Sequence, residues 1–232
     1  METSQRNASY EIVYNTLKER ILHLELIPGT LVSETDTASE FSVSRTPVRD
    51  AFKALVNDGL LEVKPHIGTF VTRIDMNEIS DILYIREIME KSIATDLAAS
   101  FNQSQEFKLK VILKNQENLI ENSSLTAKEL ASEFLKSDNE FHRTLFALAG
   151  RKNLTRYFSS INGQYMRFRT FLNYEDKSTV KKLYQQHVTL LDQIKEKNTD
   201  GISDTITHHI YDGFNSKANI LYEYPDYFKS ME

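Results

Sequence analysis

Residues 41–71 read FSVSRTPVRDAFKALVNDGLLEVKPHIGTFV, a helix followed by a hairpin. Val48, Ala51, Phe52 and Leu55 recur at helical spacing and form one apolar stripe. Pro47 falls in the first turn, where the missing N–H costs nothing, and Asp58-Gly59 supplies the stop. Arg45, Arg49 and Lys53, each four residues apart, form a second stripe a quarter-turn or more from the first, with Thr46 beside it. The following stretch, LLEVKPHIGTFVTRI, has short β-prone runs on either side of KPHIG, so it reads as a two-stranded hairpin turning at Pro65 to Gly68.

Upstream, Tyr10, Val13, Tyr14, Leu17, Ile21 and Leu24 keep the spacing of an amphipathic helix until Pro28-Gly29 stops it. A second helix opens at Ser33, with Asp36 in the position of a capping-box partner, and runs to about Phe41. Three helices and a hairpin make a winged helix-turn-helix. Downstream of residue 75 the pattern turns almost wholly helical, in six segments near 76–101, 104–122, 126–149, 151–172, 177–197 and 201–223. The expected fold is therefore mostly α: a winged domain over 1–73, a short linker over 74–77 beside the Asp75/Glu78 capping pair, and an all-α bundle over 78–232. The tail YEYPDYFKSME can fray or pack on a neighbour, and both readings stay open.

Composition narrows the function. The 232 residues hold 28 basic and 33 acidic side chains, a formal charge of −5, which excludes a uniformly basic nucleic-acid coat. No cysteine is present, so disulfide staples, thiolate zinc sites, iron–sulfur clusters and a cysteine nucleophile are excluded. No apolar run approaches the ~18 residues needed to span a bilayer, so no membrane partner is expected and the default address is the cytoplasm. From Ser44 to Arg73, however, five basic residues (Arg45, Arg49, Lys53, Lys64, Arg73) face three acidic ones (Asp50, Asp58, Glu62). Positive charge is thus concentrated on the helix and hairpin that would enter a groove. A guanidinium there can bond guanine O6 and N7 together, while Ser, Thr and backbone N–H groups hold phosphates.

The 41–71 run closely resembles the signature of the GntR family of bacterial transcription regulators, most specifically in Ser-Arg-Thr-Pro-Val-Arg at 44–49, and the resemblance extends over residues 10–73. Asp50, Phe52 and Thr37 depart mildly from the family pattern. The resemblance implies double-stranded operator DNA as partner. Arg45 and Arg49 would be the main base readers, Ser44 and Thr46 contacts to phosphates or base edges, and Glu34 the residue that orients the arginines. The wing tip would be His66 to Gly68.

In the second region, Asp138 and His142 fall four residues apart inside the apolar arc of Leu130, Phe134, Phe141, Leu145 and Leu148. His187 lies on a face between Leu183, Leu190 and Ile194; His209 shares a face with Ile202 and Ile206, while His208 points about 100° away. Single inward histidines are usually hydrogen-bonded core residues, but a carboxylate and three histidines from three helices also make a ligand set for Zn, Ni, Mn or Fe. Spacing alone leaves both readings open. The stretches at 138–142, 186–187 and 209–210 resemble the metal-binding pattern of the FCD effector domain, in the FadR-like branch of the family and its six-helix VanR-like subgroup. That resemblance implies a divalent cation held by Asp138, His142, His187 and His209, assisting a small carboxylate effector. It also matches Arg86 to the arginine that binds the effector; Glu90 reads as its i, i+4 ion-pair partner, and Arg169 is a second candidate at the edge of its helix's apolar face.

The expectation is a homodimeric transcription regulator, a repressor on a palindromic operator, controlled by a small organic acid at the metal site and not an enzyme. A metal-dependent enzyme in the helical domain, and a regulator whose metal is purely structural, are the alternatives.

Overall fold

The computed structural model describes residues 2–173, 177–216 and 219–229. The chain divides into two compact units, Met1–Glu78 with Asn162–Phe168 and Asn219–Glu232, and Ile79–Ile161 with Arg169–Ala218. No helix among the described residues is long and apolar enough to cross a membrane.

The first unit is built on α1 (Glu2–Leu22), α2 (Glu34–Glu40) and α3 (Arg45–Asn57), with β1 (Leu31–Val32), β2 (Leu61–Lys64) and β3 (Gly68–Val71). Ser33 caps α2 by accepting the Asp36 N–H at 3.3 Å. The apolar stripe of α3 is buried against Val13, Leu17 and Ile21 of α1, together with Leu60, Leu61 and Val71. The α3 helix ends at Asp58, followed by Gly59 at φ 70. The wing is one strand larger than the sequence indicates: the sheet is antiparallel with order β1-β3-β2. Lys64 pairs with Gly68 and Leu61 with Val71, and Leu31 and Val32 pair with Phe70 and Thr69 on the other side of β3. A two-residue strand carries no periodicity, so nothing local announces β1; it is fixed by the bonds of Gly29 and Thr30 to Val71, both 2.9 Å.

Residues 72–76 are held within the same unit from two sides. The Arg167 guanidinium donates to the Thr72 carbonyl, to Thr72 Oγ1 at 3.0 Å and to Gln164 Oε1 at 2.6 Å. The described part of the tail packs: Phe228 is buried, Ile74 pairs with it, and Lys229 Nζ bonds Asp75 Oδ2 at 2.9 Å.

The second unit takes its framework from α4 (Met76–Ala99), α5 (Gln103–Glu121), α6 (Ala127–Leu148), the end of α7 (Thr155–Asn173), α8 (Lys177–Glu196) and α9 (Thr199–Ser216). Asp75 Oδ1 accepts from Asn77 N at 3.0 Å as α4 starts, and full capping boxes at Asn102/Gln105 and Thr126/Glu129 start α5 and α6. The α5 helix packs on α6 and α8, and α8 on α9, which lines their inward faces along one interior. Within the expected last segment the described residues form α9 up to Ser216, a turn at Asn219 and a short helix, α10, over Ile220–Glu223. Residues 217–218 of that segment and 230–232 of the tail lie outside the described residues.

Candidate functional site

In the first unit, Arg45 and Arg49 project from the solvent face of α3, with side chains 59% and 55% exposed. Glu34 at the start of α2 bridges them, its Oε2 lying 3.6 Å from Arg45 Nη2 and 3.3 Å from Arg49 Nε. This contact fixes the direction of two long side chains whose tips remain in water. Ser44, Thr46 and Lys53 are exposed along the same helix; Ser44 is the N-cap residue but its side chain makes no capping bond, leaving the hydroxyl available. The wing tip is strained. His66 adopts φ 63, a conformation that non-glycine residues rarely take, after Pro65 in a turn closed by the Ile67 N–H to the Lys64 carbonyl at 3.0 Å. Gly68 sits at φ 150, and a Cβ there would lie 2.5 Å from Leu31 Cδ1.

In the second unit, Asp138, His142, His187 and His209 converge. All four are buried, and one ligand atom from each lies within 4.8 Å of the others. His142 Nε2 is 3.0 Å from His209 Nε2, and Asp138 Oδ1 is 3.4 Å from His187 Nε2 and 3.9 Å from His209 Nε2. Ligands about 2.1 Å from a shared ion at ordinary angles are themselves ~3.0–3.4 Å apart; the 3.0 and 3.4 Å separations fall in that range, and a shared cation would have to draw Asp138 Oδ1 and His209 Nε2, at 3.9 Å, closer together. The opposite nitrogen of each ring faces an oxygen, within a hydrogen bond for His187 and His209 and at ion-pair distance for His142. His142 Nδ1 lies 2.9 Å from Glu90 Oε2, His187 Nδ1 is 2.9 Å from Gln116 Oε1, and His209 Nδ1 is 3.2 Å from Gln186 Oε1. With Nδ1 protonated toward those oxygens, each Nε2 is a lone pair aimed at the centre. At 3.0 Å, His142 Nε2 and His209 Nε2 are reconciled either by a proton on one of them or by a cation that both ligate. Asp138 Oδ1, His187 Nε2 and His142 Nδ1, all buried, have no hydrogen-bond partner among the described residues; the first two fit ligand atoms of an ion. Phe141 stacks on His187 with centroids 4.2 Å apart and locks its ring plane.

Two arginines border the cluster. Arg169 Nη2 donates to Asp138 Oδ2 at 2.6 Å and its Nη1 to Asn139 Oδ1 at 3.0 Å. Arg86 pairs with Glu90 at 2.8 Å. Glu90 therefore does more than balance Arg86, the role read from its spacing: its other oxygen holds His142. Burial would raise the Asp138 carboxyl, but Arg169 and the imidazoles outweigh it and hold it well below the carboxylate range. Glu90 is likewise held low against burial, chiefly by Arg86. Burial pushes His187 well below its ordinary value, and burial with His142 nearby takes His209 down to about 3. His208 is exposed and bonds the Asp204 carbonyl at 2.8 Å, apart from the cluster. Gln116 was not among the residues singled out from the sequence, although it continues the arc of Leu109, Ile112 and Leu113 on α5.

Residues 9–71 match the family model of bacterial regulatory proteins, gntR family, and residues 81–212 match the FCD domain, more than half of the chain. The chain belongs to the GntR family and carries an FCD domain. It is similar to the HTH-type transcriptional repressor RspR of Escherichia coli K12, 27% identical over 93% of this chain and 92% of that one. Its fold is that of E. coli McbR/YncC, with TM-score 0.68, 18% identity and coverage of 93% and 97%. It is also that of a putative transcriptional regulator GntR from Rhodococcus sp. RHA1, with TM-score 0.67, 18% identity and coverage of 92% and 98%. This GntR-family chain is thus a transcription regulator with a DNA-binding winged domain, and not an enzyme.

Proposed function

We propose that this GntR-family protein is a homodimeric repressor that reads a palindromic operator and answers to a small carboxylate bound through a divalent cation at Asp138, His142, His187 and His209. The observation that carries the sensing half is the set of three Nδ1 contacts to Glu90, Gln116 and Gln186, each of which turns an Nε2 toward Asp138. With all three rings protonated at Nδ1 the Nε2 lone pairs face one another, which a shared cation satisfies. Zn, Ni, Mn or Fe each suits one carboxylate and three imidazoles. The cation would supply an attachment point for a carboxylate oxygen, and Arg86 and Arg169 border the cluster with guanidinium groups that suit an anion.

For the operator, Arg45 and Arg49 would read bases from the N-terminal half of α3, Ser44 and Thr46 would hold phosphates or base edges, Glu34 would aim the arginines, and His66 to Gly68 would reach the adjacent groove. Two such heads related by two-fold symmetry suit a palindrome. The exposed apolar residues Tyr84, Ile85 and Ile88 on α4 and Phe107 and Val111 on α5 support self-association. The name of RspR supports repression.

The test is metal analysis of full-length protein purified without chelator, paired with operator binding by fluorescence anisotropy. His209→Ala should lose stoichiometric metal, and His208→Ala should keep it. Operator affinity should change with a carboxylate only when metal is present. Metal retained by His209→Ala overturns the site, and a response indifferent to chelator assigns the metal a purely structural role.

A further inference from the structure

The three histidine rings differ in what supports them on the outer side. His142 faces the Glu90 carboxylate at 2.9 Å, whereas His187 and His209 face the amides of Gln116 and Gln186. An amide has two ends. Turned one way, its oxygen accepts the proton of Nδ1; turned the other way, its nitrogen donates to Nδ1 and the ring proton must sit on Nε2. Only the first arrangement leaves Nε2 bare toward the centre. The Gln116 Nε2 has no hydrogen-bond partner among the described residues, so nothing else there selects its orientation. Gln186 is different, because its Nε2 donates to Asp212 Oδ2 at 2.7 Å.

We propose that Asp212 is a positioning residue for the cation site, acting through Gln186 to hold His209 in the tautomer that can ligate; this rests on the metal reading above. An ionised carboxylate only accepts, so the Gln186 amide nitrogen must face Asp212. The amide oxygen is then left to face His209 Nδ1, 3.2 Å away. Asp212 is fixed in turn, since Lys182 Nζ lies 3.0 Å from the same Oδ2. Helical spacing builds both halves of the chain of contacts. Lys182 and Gln186 are four residues apart on α8, and His209 and Asp212 three apart on α9, so each pair shares one face of its helix. Asp212 is partly exposed and His209 is buried, so a side chain near the surface governs a ring in the interior.

The experiment takes two readouts on the full-length protein. Nitrogen-15 NMR of the imidazoles in chelated protein at neutral pH reports the His209 tautomer, and competition for Zn²⁺ against a chromophoric chelator reports affinity. Wild type should carry the His209 proton on Nδ1, a result that needs no variant to fold. Asp212→Leu should lose the preference for that tautomer and bind Zn²⁺ about 10–100-fold more weakly. Exchanging the two groups, Gln186→Glu together with Asp212→Asn, keeps an acceptor toward His209 and a donor–acceptor contact between positions 186 and 212, and should restore most of the lost affinity. A wild-type His209 protonated on Nε2 overturns the role of Asp212 and leaves the metal reading standing. So does Zn²⁺ affinity in Asp212→Leu within about threefold of wild type, or a double variant as weak as Asp212→Leu. A wild-type protein that takes up no stoichiometric Zn²⁺ overturns the metal reading and this inference together.

Discussion

His187 and His209 are buried as neutral bases, and that has a thermodynamic consequence in the metal-free protein. Their folded pKa values are depressed, His209 to about 3, while the unfolded chain titrates at the ordinary value near 6.5. Between those limits the unfolded state binds more protons than the folded one, so stability is complete above about pH 6.5 and falls as pH drops toward the folded pKa. Each pH unit in that window costs about 1.4 kcal/mol per histidine. Urea unfolding of chelated protein from pH 7.5 to 5 should therefore show a steep loss, and His209→Gln should roughly halve the slope; a flat profile would contradict the burial of neutral imidazoles. On α3, Arg49→Ala should cost about 1–3 kcal/mol of specific operator binding and relax the sequence preference, measured by anisotropy on operator and scrambled duplexes. Equal loss on both duplexes would remove Arg49 from base reading. Asp138, His142, His187 and His209 were legible in the sequence because ligand-type residues interrupt apolar arcs. Gln116 was not, because an amide among leucines does not advertise a bond to a ring on another helix, and Glu90 was only half legible, because its i, i+4 spacing exposes one of its two contacts.

At the scale of elements, the wing concentrates strain where contact with DNA is expected. His66 at φ 63 carries a conformational cost of about 1 kcal/mol that glycine would not bear. His66→Gly should leave thermal stability unchanged or slightly raised; if the imidazole touches DNA, operator affinity should still fall. A variant more stable and equally tight would show that the residue serves the turn alone. The Thr72–Met76 segment poses the opposite case, of order bought by a buried cation. Arg167, fully buried, satisfies the Thr72 carbonyl, Thr72 Oγ1 and Gln164 Oε1, and burial lowers its guanidinium only to about 10, so it stays charged at neutral pH. Arg167→Met keeps the volume but strands these acceptors and should destabilise by about 2 kcal/mol or more in urea unfolding. Arg167→Lys should recover less than half of that, since an ammonium cannot reproduce the planar fork; wild-type stability in the Met variant would show that the network is dispensable. The helices were legible because apolar periodicity, capping residues and the few prolines and glycines mark them independently. Strand β1 and the packed tail were not, because Leu31-Val32 and Phe228 are defined by partners far away in sequence, Phe70 and Thr69 for the strand and Ile74 for Phe228.

For the whole molecule, a net charge of −5 and a DNA-binding domain coexist because the first unit neutralises most of its own cations. Residues 1–73 contain eight basic side chains. Seven of these lie in ion pairs: Arg6 with Asp50, Lys18 with Asp58, Arg20 with Glu40, Arg45 and Arg49 with Glu34, Lys64 with Glu62, and Arg73 with Asp226. Of the eight, only Lys53, exposed on α3, is outside such a pair, with Asp50 near enough to feel its charge. A phosphate must therefore displace a carboxylate at nearly every contact, which weakens non-specific binding more than it weakens an operator complex with base contacts to add. If all five cations between Ser44 and Arg73 engaged phosphates in both halves of a dimer, log K against log salt would have a slope of about −9. Competition from the internal pairs should bring it to about −4 to −6, and Lys53→Ala should flatten it by about 2 in such a dimer because that lysine has no close ion pair to break. Anisotropy titrations of one operator duplex at several KCl concentrations measure both quantities. A slope steeper than −9 would mean that cations outside the helix and wing carry the affinity, and an unchanged slope in Lys53→Ala would mean that the exposed stripe of α3 does not face the phosphates.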